Sequence, residues 1–224
     1  MFFAAVHRVV PPVAKAMWRP KVTGLEHVPR TGAVILASNH LSFIDSTVIP
    51  VVVPRKVVFL AKSDYFEGTG IKGALVRAWF EGLGMLPVDR DNNSSALASL
   101  DKALEVLGRG EAFGIYPEGT RSQDGRLYRG RTGVAHLALS AGTPIVPVGL
   151  RGTQDLQPVG ARVPRLSPVS LLSVAFGPPI LPTSYTGVPP GRARRELTDR
   201  VMAAIAELSG QEVAGVYNER PADG

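Results

Sequence analysis

The sequence predicts an α/β fold: a single layered domain with a mixed, largely parallel central sheet flanked by helices, plus an N-terminal amphipathic helix. Three observations predict this class. Short β-rich runs alternate with helical patterns beyond Pro20, as in layered α/β domains. Several of these runs are almost continuously apolar, which is typical of strands covered on both faces. The chain has 224 residues, 45% of them hydrophobic and 20% charged, which suits one domain with a single core.

The first element in chain order, residues 1–20, is expected to be an amphipathic segment at a membrane interface. On a helical wheel His7, Arg8 and Lys15 form one narrow basic strip, and most other side chains are apolar. Two successive prolines would kink or divide this helix. The alternative is a helix packed on the domain with its polar edge outward. The segment resembles neither a cleaved signal peptide nor a transmembrane helix.

Six strands and four helices are expected in the remainder of the chain. The strand runs are residues 33–37, 57–61, 86–89, 112–116, 144–150 and 169–176. The clearest helix covers about residues 95–107, where leucines recur on one face and two glycines follow closely. Other helical patterns fit residues 46–52, 132–140 and 192–209. Residues 211–224 are polar without a period, so we expect a mobile tail there.

The charge and the absence of cysteine narrow the classes of partner and chemistry. A formal charge of +6 indicates an anionic partner, which could be nucleic acid, phospholipid headgroups or a phosphorylated small molecule. The arginines stand mostly singly in turns, without a basic stripe interleaved with aromatics, so nucleic acid is disfavoured. The chain has no cysteine, which excludes disulfides, thiolate zinc sites and a cysteine nucleophile.

A histidine and an aspartate follow the strand expected at residues 33–37, in the run NHLSFID. Ligands bind at this end of the strands in α/β folds. His40 can take a proton from a hydroxyl at neutral pH, and a carboxylate on its other ring nitrogen would fix the tautomer. Residues five apart on one helix would not meet. The pair therefore requires His40 in the turn and Asp45 in the first helical turn, with Ser42 as N-cap. Taken alone, a histidine and an aspartate at this spacing are more often structural.

A second polar run, YPEGTRS at residues 116–122, also follows a strand directly. Proline and glycine make a rigid turn that a ligand can approach closely. Glu118 can accept a polyol hydroxyl, and the planar fork of Arg121 suits phosphate. By itself such a run is more often a turn with a surface ion pair. Two further runs are weaker signals: Arg90 ends the run 84–90 just beyond a short strand, and prolines bracket the run 144–148.

Together and in this order, the four runs resemble the motifs of the glycerolipid acyltransferase family, which contains the 1-acylglycerol-3-phosphate acyltransferases. The pattern N-H-x-S-x-x-D is matched by Asn39, His40, Ser42 and Asp45. The pattern F-P-E-G-T-R-S is matched at residues 117–122, with Tyr116 where phenylalanine is usual. The glycine–strand–arginine motif is matched by Gly84 and Arg90, and the apolar strand with two prolines by residues 144–148. The resemblance covers about residues 22–150.

The resemblance implies a reaction and a set of site residues. His40 would act as general base on the acceptor hydroxyl, oriented by Asp45, and the hydroxyl oxygen would attack an acyl thioester directly. The donor would be acyl-CoA or acyl-carrier protein, and the acceptor a phosphorylated glycerol such as 1-acylglycerol 3-phosphate. No cofactor or metal is implied. The substrate-binding residues would be Glu118, Gly119, Arg121, Arg90, Lys62, Asn39 and Ser42. Arg129 stands where lysine is more usual in the family.

With this resemblance, residues 21–210 are expected to form the acyltransferase domain. The expected location is cytoplasmic, peripheral on the inner face of the cell membrane, in contact with anionic lipids. Alternatives are acyl transfer to glycerol 3-phosphate, another lysophospholipid or a glycolipid, hydrolysis of the thioester, and a non-catalytic lipid-binding protein. A literal G-x-G-x-x-G match at residues 68–73 is a poor dinucleotide site, because residues 62–67 separate it from the preceding strand.

Overall fold

A computed structural model describes residues 12–88, 93–158, 160–161, 163–167 and 172–219. One seven-stranded sheet forms the centre, in the order β1-β7-β6-β2-β5-β3-β4. All neighbouring strands are parallel except β6 and β7, which pair antiparallel. The strands are β1 Lys21–Thr23, β2 Val34–Ser38, β3 Val57–Lys62, β4 Met85–Val88, β5 Ala112–Ile115, β6 Ile145–Arg151 and β7 Ser173–Phe176. The expected mixed, largely parallel sheet is confirmed.

Helices cover both faces of the sheet. Residues 12–18 are helical and form α1. The later helices are α2 Asp45–Val52, α3 Gly70–Gly82, α4 Asn93–Gly108, α5 Gly133–Ala141, α6 Thr153–Leu156 and α7 Pro190–Ser209. Short 3₁₀ helices occupy Leu25–His27, Ser63–Tyr65 and Pro182–Tyr185. Two apolar clusters make up the core. One contains buried side chains of α1, α2 and α3, and the other contains those of α4, α5 and α7.

The structure contains elements that were not expected from the sequence, among them the strand β1 and the helix α3. The edge strand β1 has three residues, too few to show a period, and it forms because β7 offers it a parallel partner. Helix α3 begins inside the G-x-G-x-x-G run. A Cβ at Gly73 would lie 2.0 Å from the carbonyl oxygen of Gly68, so these glycines allow two backbone segments to touch. The strand expected at 169–176 is described only at Ser173–Phe176.

The N-terminal helix packs on the domain along its described part. Ala14 and Trp18 are buried in the core cluster of α2 and α3, and the Trp18 indole donates to the carbonyl oxygen of Arg165 at 3.1 Å. Lys15 is exposed. For residues 12–18 this is the packed alternative, with the basic side chain outward. The basic residues His7 and Arg8 lie outside the described residues. No helix in the described ranges is long and apolar enough to cross a bilayer.

The polar C-terminal segment, expected to be mobile, is bonded to the domain where it is described. Leu127 donates its amide to the carbonyl of Glu212, and residues 127 and 213 form a parallel bridge. Asn218 is buried. These contacts are long-range in sequence, so no local periodicity could predict them. Residues 220–224 lie outside the described part.

Candidate active site at the carboxyl edge of the sheet

The sheet order brings the two chemistry-bearing runs together. Strand β2 lies between β5 and β6 and runs parallel to both, so the residues after β2 and β5 meet at one edge. His40 follows β2, and the YPEGTRS loop, residues 116–122, follows β5. The two segments are joined by a backbone bond, because the Ser122 amide donates to the carbonyl of His40 at 2.8 Å. The two runs therefore lie side by side at the carboxyl edge of the sheet.

His40 and Asp45 form the expected pair. The His40 Nδ1 atom lies 2.8 Å from Asp45 Oδ2, with Asp45 fully buried and the His40 side chain 17% exposed. His40 sits in the turn after β2, and Asp45 is the first residue of α2. The helix therefore starts where the dyad needs it to start.

The bonds of Asp45 fix the tautomer of the histidine. Asp45 Oδ2 also accepts the backbone amides of Leu41 at 2.7 Å and Ser42 at 2.9 Å. Because this oxygen acts as an acceptor, Nδ1 carries the hydrogen and donates to it. The lone pair of the neutral ring then lies on Nε2, the nitrogen that a general base needs.

Tyr116 holds the plane of the imidazole. The two rings stack with centroids 3.8 Å apart and planes 8° from parallel. The Tyr116 hydroxyl lies 2.9 Å from Ser46 Oγ, on the first turn of α2. With Asp45 at its edge and Tyr116 on its face, the ring is fixed in position and tilt. From the sequence it was clear only that Tyr116 stands where phenylalanine is usual. The sequence did not show that this ring stacks on His40.

Glu118 holds the loops rather than presenting its carboxylate to an acceptor. Its Oε1 accepts the His40 amide and its Oε2 accepts the Tyr128 amide, each at 2.9 Å, and the residue is 1% exposed. Burial raises the pKa of this carboxyl to about 7. The expected contact with an acceptor hydroxyl thus differs from the observed arrangement. The pattern could not distinguish these roles, because both require an acceptor at the same position.

Asn39 and Ser42 are also engaged by the protein itself. Asn39 is buried, accepts the Leu150 amide at 2.8 Å and donates to Leu150 O at 3.0 Å, which ties the end of β2 to β6. Ser42 Oγ donates to Gln157 O at 2.6 Å. Ser42 was expected to cap α2, but the N-cap position is Ile44, and Ser42 Oγ lies 3.5 Å from its amide. Both side chains support the turn that carries His40.

The residues expected to hold phosphate are only partly described. Lys62 ends β3 and forms an ion pair with Asp64 at 2.8 Å. Gly119 has φ +82°, a left-handed conformation that leaves the turn open, and Arg121 follows two residues later. Arg90 lies outside the described residues. In the described ranges no group of three or more histidine and acidic side chains could hold a metal ion.

The fold and the site define an α/β protein with a histidine–aspartate pair at the carboxyl edge of its sheet. The sequence model of the acyltransferase family matches residues 19–151, more than half of the chain, and this protein belongs to that family.

Relatives with curated descriptions are 1-acyl-sn-glycerol-3-phosphate acyltransferases. A Limnanthes douglasii protein of that description is 33% identical over 174 residues, 74% of this chain and 56% of the relative. A chloroplastic one from Brassica napus is 31% identical over 146 residues, 64% of this chain and 40% of the relative. One from Borreliella burgdorferi is 32% identical over 134 residues, 60% of this chain and 52% of the relative. The chain thus spans about half the length of these relatives.

A solved structure shares the fold. The 1-acyl-sn-glycerophosphate acyltransferase PlsC from Thermotoga maritima superposes with a TM-score of 0.67, covering 92% of this chain and 79% of that chain at 24% identity. The similarity extends well beyond residues 19–151, the part that the family model matches. The strand and helix after residue 151 are therefore part of a shared architecture.

Proposed function

We propose that this chain transfers a fatty acyl group from an acyl thioester to a hydroxyl of 1-acylglycerol 3-phosphate, with His40 as general base. The observation that carries the proposal is the 2.8 Å contact between His40 Nδ1 and the buried Asp45. The family and the descriptions of the relatives support the reaction class. The thioester donor is acyl-CoA or acyl-carrier protein, and the enzyme's own residues carry the chemistry without a cofactor.

The proposed reaction has one proton path. His40 Nε2 takes the proton of the acceptor hydroxyl as its oxygen attacks the thioester carbonyl, and Asp45 stabilises the imidazolium that forms. The carbon–sulfur bond breaks, the thiolate leaves, and the imidazolium returns the proton to it. The products are an ester and a free thiol. General base catalysis contributes on the order of 10²–10⁴ in rate, and positioning of the two substrates supplies a further large factor.

The proposal is tested by replacing the base. His40→Ala should lose at least about a hundredfold in kcat for acyl transfer to 1-acylglycerol 3-phosphate, from the magnitude of general base catalysis. His136→Ala, on α5, is the matched control and should keep its activity. Full activity in His40→Ala would refute the catalytic proposal.

A panel of acceptors separates the alternatives within the same assay. Equal rates of fatty acid release with and without acceptor would identify a thioesterase. Binding of lysophosphatidate without turnover would identify a lipid-binding protein. A preference for glycerol 3-phosphate or a glycolipid would change the assigned acceptor and leave the proposed role of the dyad unchanged.

We also propose that the protein works at an anionic membrane surface, with α3 contacting the bilayer. Leu75, Val76 and Trp79 are exposed on one side of α3. Phe80 on the same helix packs edge-on against Phe43 with ring centroids 6.0 Å apart, and Phe43 lies three residues beyond His40. This apolar face therefore continues towards the active site, where a lipid acceptor would enter. The net charge of +6 complements anionic headgroups. The basic N-terminal residues His7 and Arg8 would add to the same attraction.

A further inference from the structure

A segment outside the family-matched region is bound to the active-site loop. This C-terminal strap, residues 211–218, runs beside residues 125–131. Leu127 donates to Glu212 O at 2.8 Å, Ala214 donates to Leu127 O at 2.9 Å, and Arg129 donates to Val216 O at 2.8 Å. Gln211 bonds both Asn39 and Gly125, at 2.7 Å each. The strap therefore connects the turn that carries His40 with the loop that follows Glu118.

The aromatic ring of the strap holds two arginines. The guanidinium carbons of Arg129 and Arg131 lie 5.1 Å and 5.7 Å from the centroid of the Tyr217 ring. Arg195 from α7 donates to the Tyr217 hydroxyl at 3.2 Å, which fixes the ring from its far end. Cation–π contacts of this kind orient a guanidinium without neutralising its charge.

Asn218 extends the same connection to the arginine of the third motif. Its side-chain amide donates to Arg121 O at 3.1 Å, and its own carbonyl accepts from Arg131 Nη2 at 3.4 Å. Three arginine positions, 121, 129 and 131, are thereby set by two adjacent strap residues.

Arg131 lies against the catalytic loop. A Cβ built at Gly119 would be 3.0 Å from Arg131 Nε, and the Arg131 amide donates to Pro117 O at 2.8 Å. Gly119 is next to Glu118, whose carboxylate accepts the His40 amide. Arg131 therefore packs against Gly119, and the neighbouring Glu118 is bonded to the backbone of His40.

The carboxylates paired near this cluster are bound by other arginines. Asp124 is engaged by Arg126 at 2.7 Å, and the carboxylate of Asp199 is paired with Arg195. Within the described part of the chain, neither Arg129 nor Arg131 makes an ion pair with a carboxylate. Guanidinium groups bind phosphate oxygens through charge-assisted hydrogen bonds, so two arginines that contact one ring and have no carboxylate partner in the described ranges suit a phosphate monoester.

We propose that Arg129 and Arg131, held by Tyr217, form a phosphate subsite beside the dyad, and that Tyr217 sets its affinity. This inference rests on the proposed function insofar as the phosphate is that of the acceptor. A phospholipid headgroup offers the same chemistry from the membrane. Arg131 and Tyr217 act on binding and not on the reacting atoms, so their replacement should change acceptor affinity selectively.

Steady-state kinetics with both substrates tests the subsite. Arg131→Gln and Tyr217→Leu should each raise KM for monomeric short-chain lysophosphatidate roughly tenfold, from the loss of a charge-assisted bond. Their kcat and KM for the acyl thioester should stay within about twofold of wild type. Tyr217→Phe keeps the ring and loses only the bond from Arg195, so it should raise acceptor KM much less than Tyr217→Leu does. Arg192→Gln, an exposed arginine of α7 bonded to Glu196, is the matched control.

Two binding measurements separate the sources of phosphate. If the headgroup is the ligand, Arg131→Gln should weaken binding to phosphatidylglycerol vesicles several-fold and leave acceptor KM unchanged. Titration calorimetry with inorganic phosphate measures the subsite independently of turnover. Were the wild type inactive on every phosphorylated acceptor, phosphate binding lost in Arg131→Gln would still support the subsite while the proposed function failed.

The proposal is overturned by either of two results. One is an unchanged acceptor KM together with unchanged vesicle and phosphate binding in Arg131→Gln. The other is a Tyr217→Leu variant in which kcat and both KM values deteriorate together, because that pattern indicates a merely structural strap.

Discussion

At the scale of single residues, Asp45 is the side chain whose chemistry the structure defines most closely. Its Oδ2 receives three donors, whereas Oδ1 is buried without a hydrogen-bond partner in the described part of the chain. Asn at this position could place its oxygen where Oδ2 lies and keep the geometry. The charge that stabilises an imidazolium would be lost, and the amide NH₂ would be buried unpaired.

We therefore expect Asp45→Asn to lower kcat by about 10²–10⁴ while the fold persists. The loss in the free energy of unfolding should be about 1–3 kcal/mol, from the unpaired amide. Single-turnover acyl transfer and urea denaturation measure the two effects separately. A variant that keeps its kcat would show that Asp45 only anchors the start of α2.

Glu118 should make stability depend on pH. Burial raises its pKa from 4.5 to about 7, so the folded protein binds more protons than the unfolded chain between these values. The free energy of unfolding therefore falls as pH rises through this window and the carboxyl ionises in the folded state. In Glu118→Gln this dependence disappears. Relative to that variant, wild type should lose up to about 3 kcal/mol between pH 4.5 and pH 8.

Urea denaturation of both proteins at several pH values checks this expectation. A wild-type stability that rises with pH relative to Glu118→Gln would contradict it. Such a rise would mean that the amides of His40 and Tyr128 stabilise the carboxylate more than burial destabilises it.

The dyad could be predicted because the resemblance to the acyltransferase family names its two residues, and the local spacing then requires His40 in a turn and Asp45 at a helix start. The sequence could not predict the partners that come from distant segments. Tyr116, which stacks on His40, follows strand β5. Gln211, which bonds Asn39, is 172 residues away in sequence. Periodicity reports the environment of neighbours along one element, and these contacts are made between elements.

At the scale of elements, the helix expected over 95–107 and that expected over 192–209 are present with nearly the expected bounds, because their amphipathic periods are long. Helix α3 was not expected. Its exposed side carries apolar residues, so its pattern does not separate a buried from a solvated face. The exposed apolar side chains that obscure the amphipathic period of α3 are the same ones that support membrane contact.

Close packing of α7 on β6 depends on a glycine. A Cβ at Gly149 would lie 2.5 Å from the backbone carbon of Leu208, so one of the two elements must move. We expect Gly149→Ala to lower the free energy of unfolding by about 1–3 kcal/mol, measured by urea denaturation.

Gly108 is the last residue of α4, and a Cβ added there would meet no atom within 4 Å. Gly108→Ala should therefore stabilise the protein by about 0.5–1 kcal/mol. Equal effects of the two substitutions would contradict this packing argument.

At the scale of the whole molecule, the two faces of the sheet should behave differently towards lipid. Trp79 on α3 is 41% exposed and Trp18 is buried, and these are the two tryptophans of the chain. On adding vesicles containing phosphatidylglycerol, a Trp18→Phe variant should show a blue shift from Trp79 as it enters the interface. Trp79→Gln should weaken co-sedimentation with the vesicles several-fold.

Leu97→Gln provides the control for this experiment. Leu97 is 67% exposed on α4, which packs in the core cluster on the other face of the sheet. Its replacement should leave vesicle binding unchanged. If both variants lose binding equally, or neither does, α3 is not the contact surface. Unchanged turnover of a monomeric acceptor by Trp79→Gln would separate membrane contact from a role in holding the acyl chain.

The pairing of β1 with β7 has a consequence for biosynthesis. Lys21 is opposite Ser173, and the Nδ1 of His27 donates to the carbonyl of Phe176, so the early chain is completed by residues made about 150 positions later. At ribosomal speeds of roughly 5–20 residues per second, β1 waits about 8–30 s for its partner. During that interval its backbone and the Trp18 side chain must remain soluble without their final neighbours. Among the described strands, β1 is therefore made first and gains its pairing partner last.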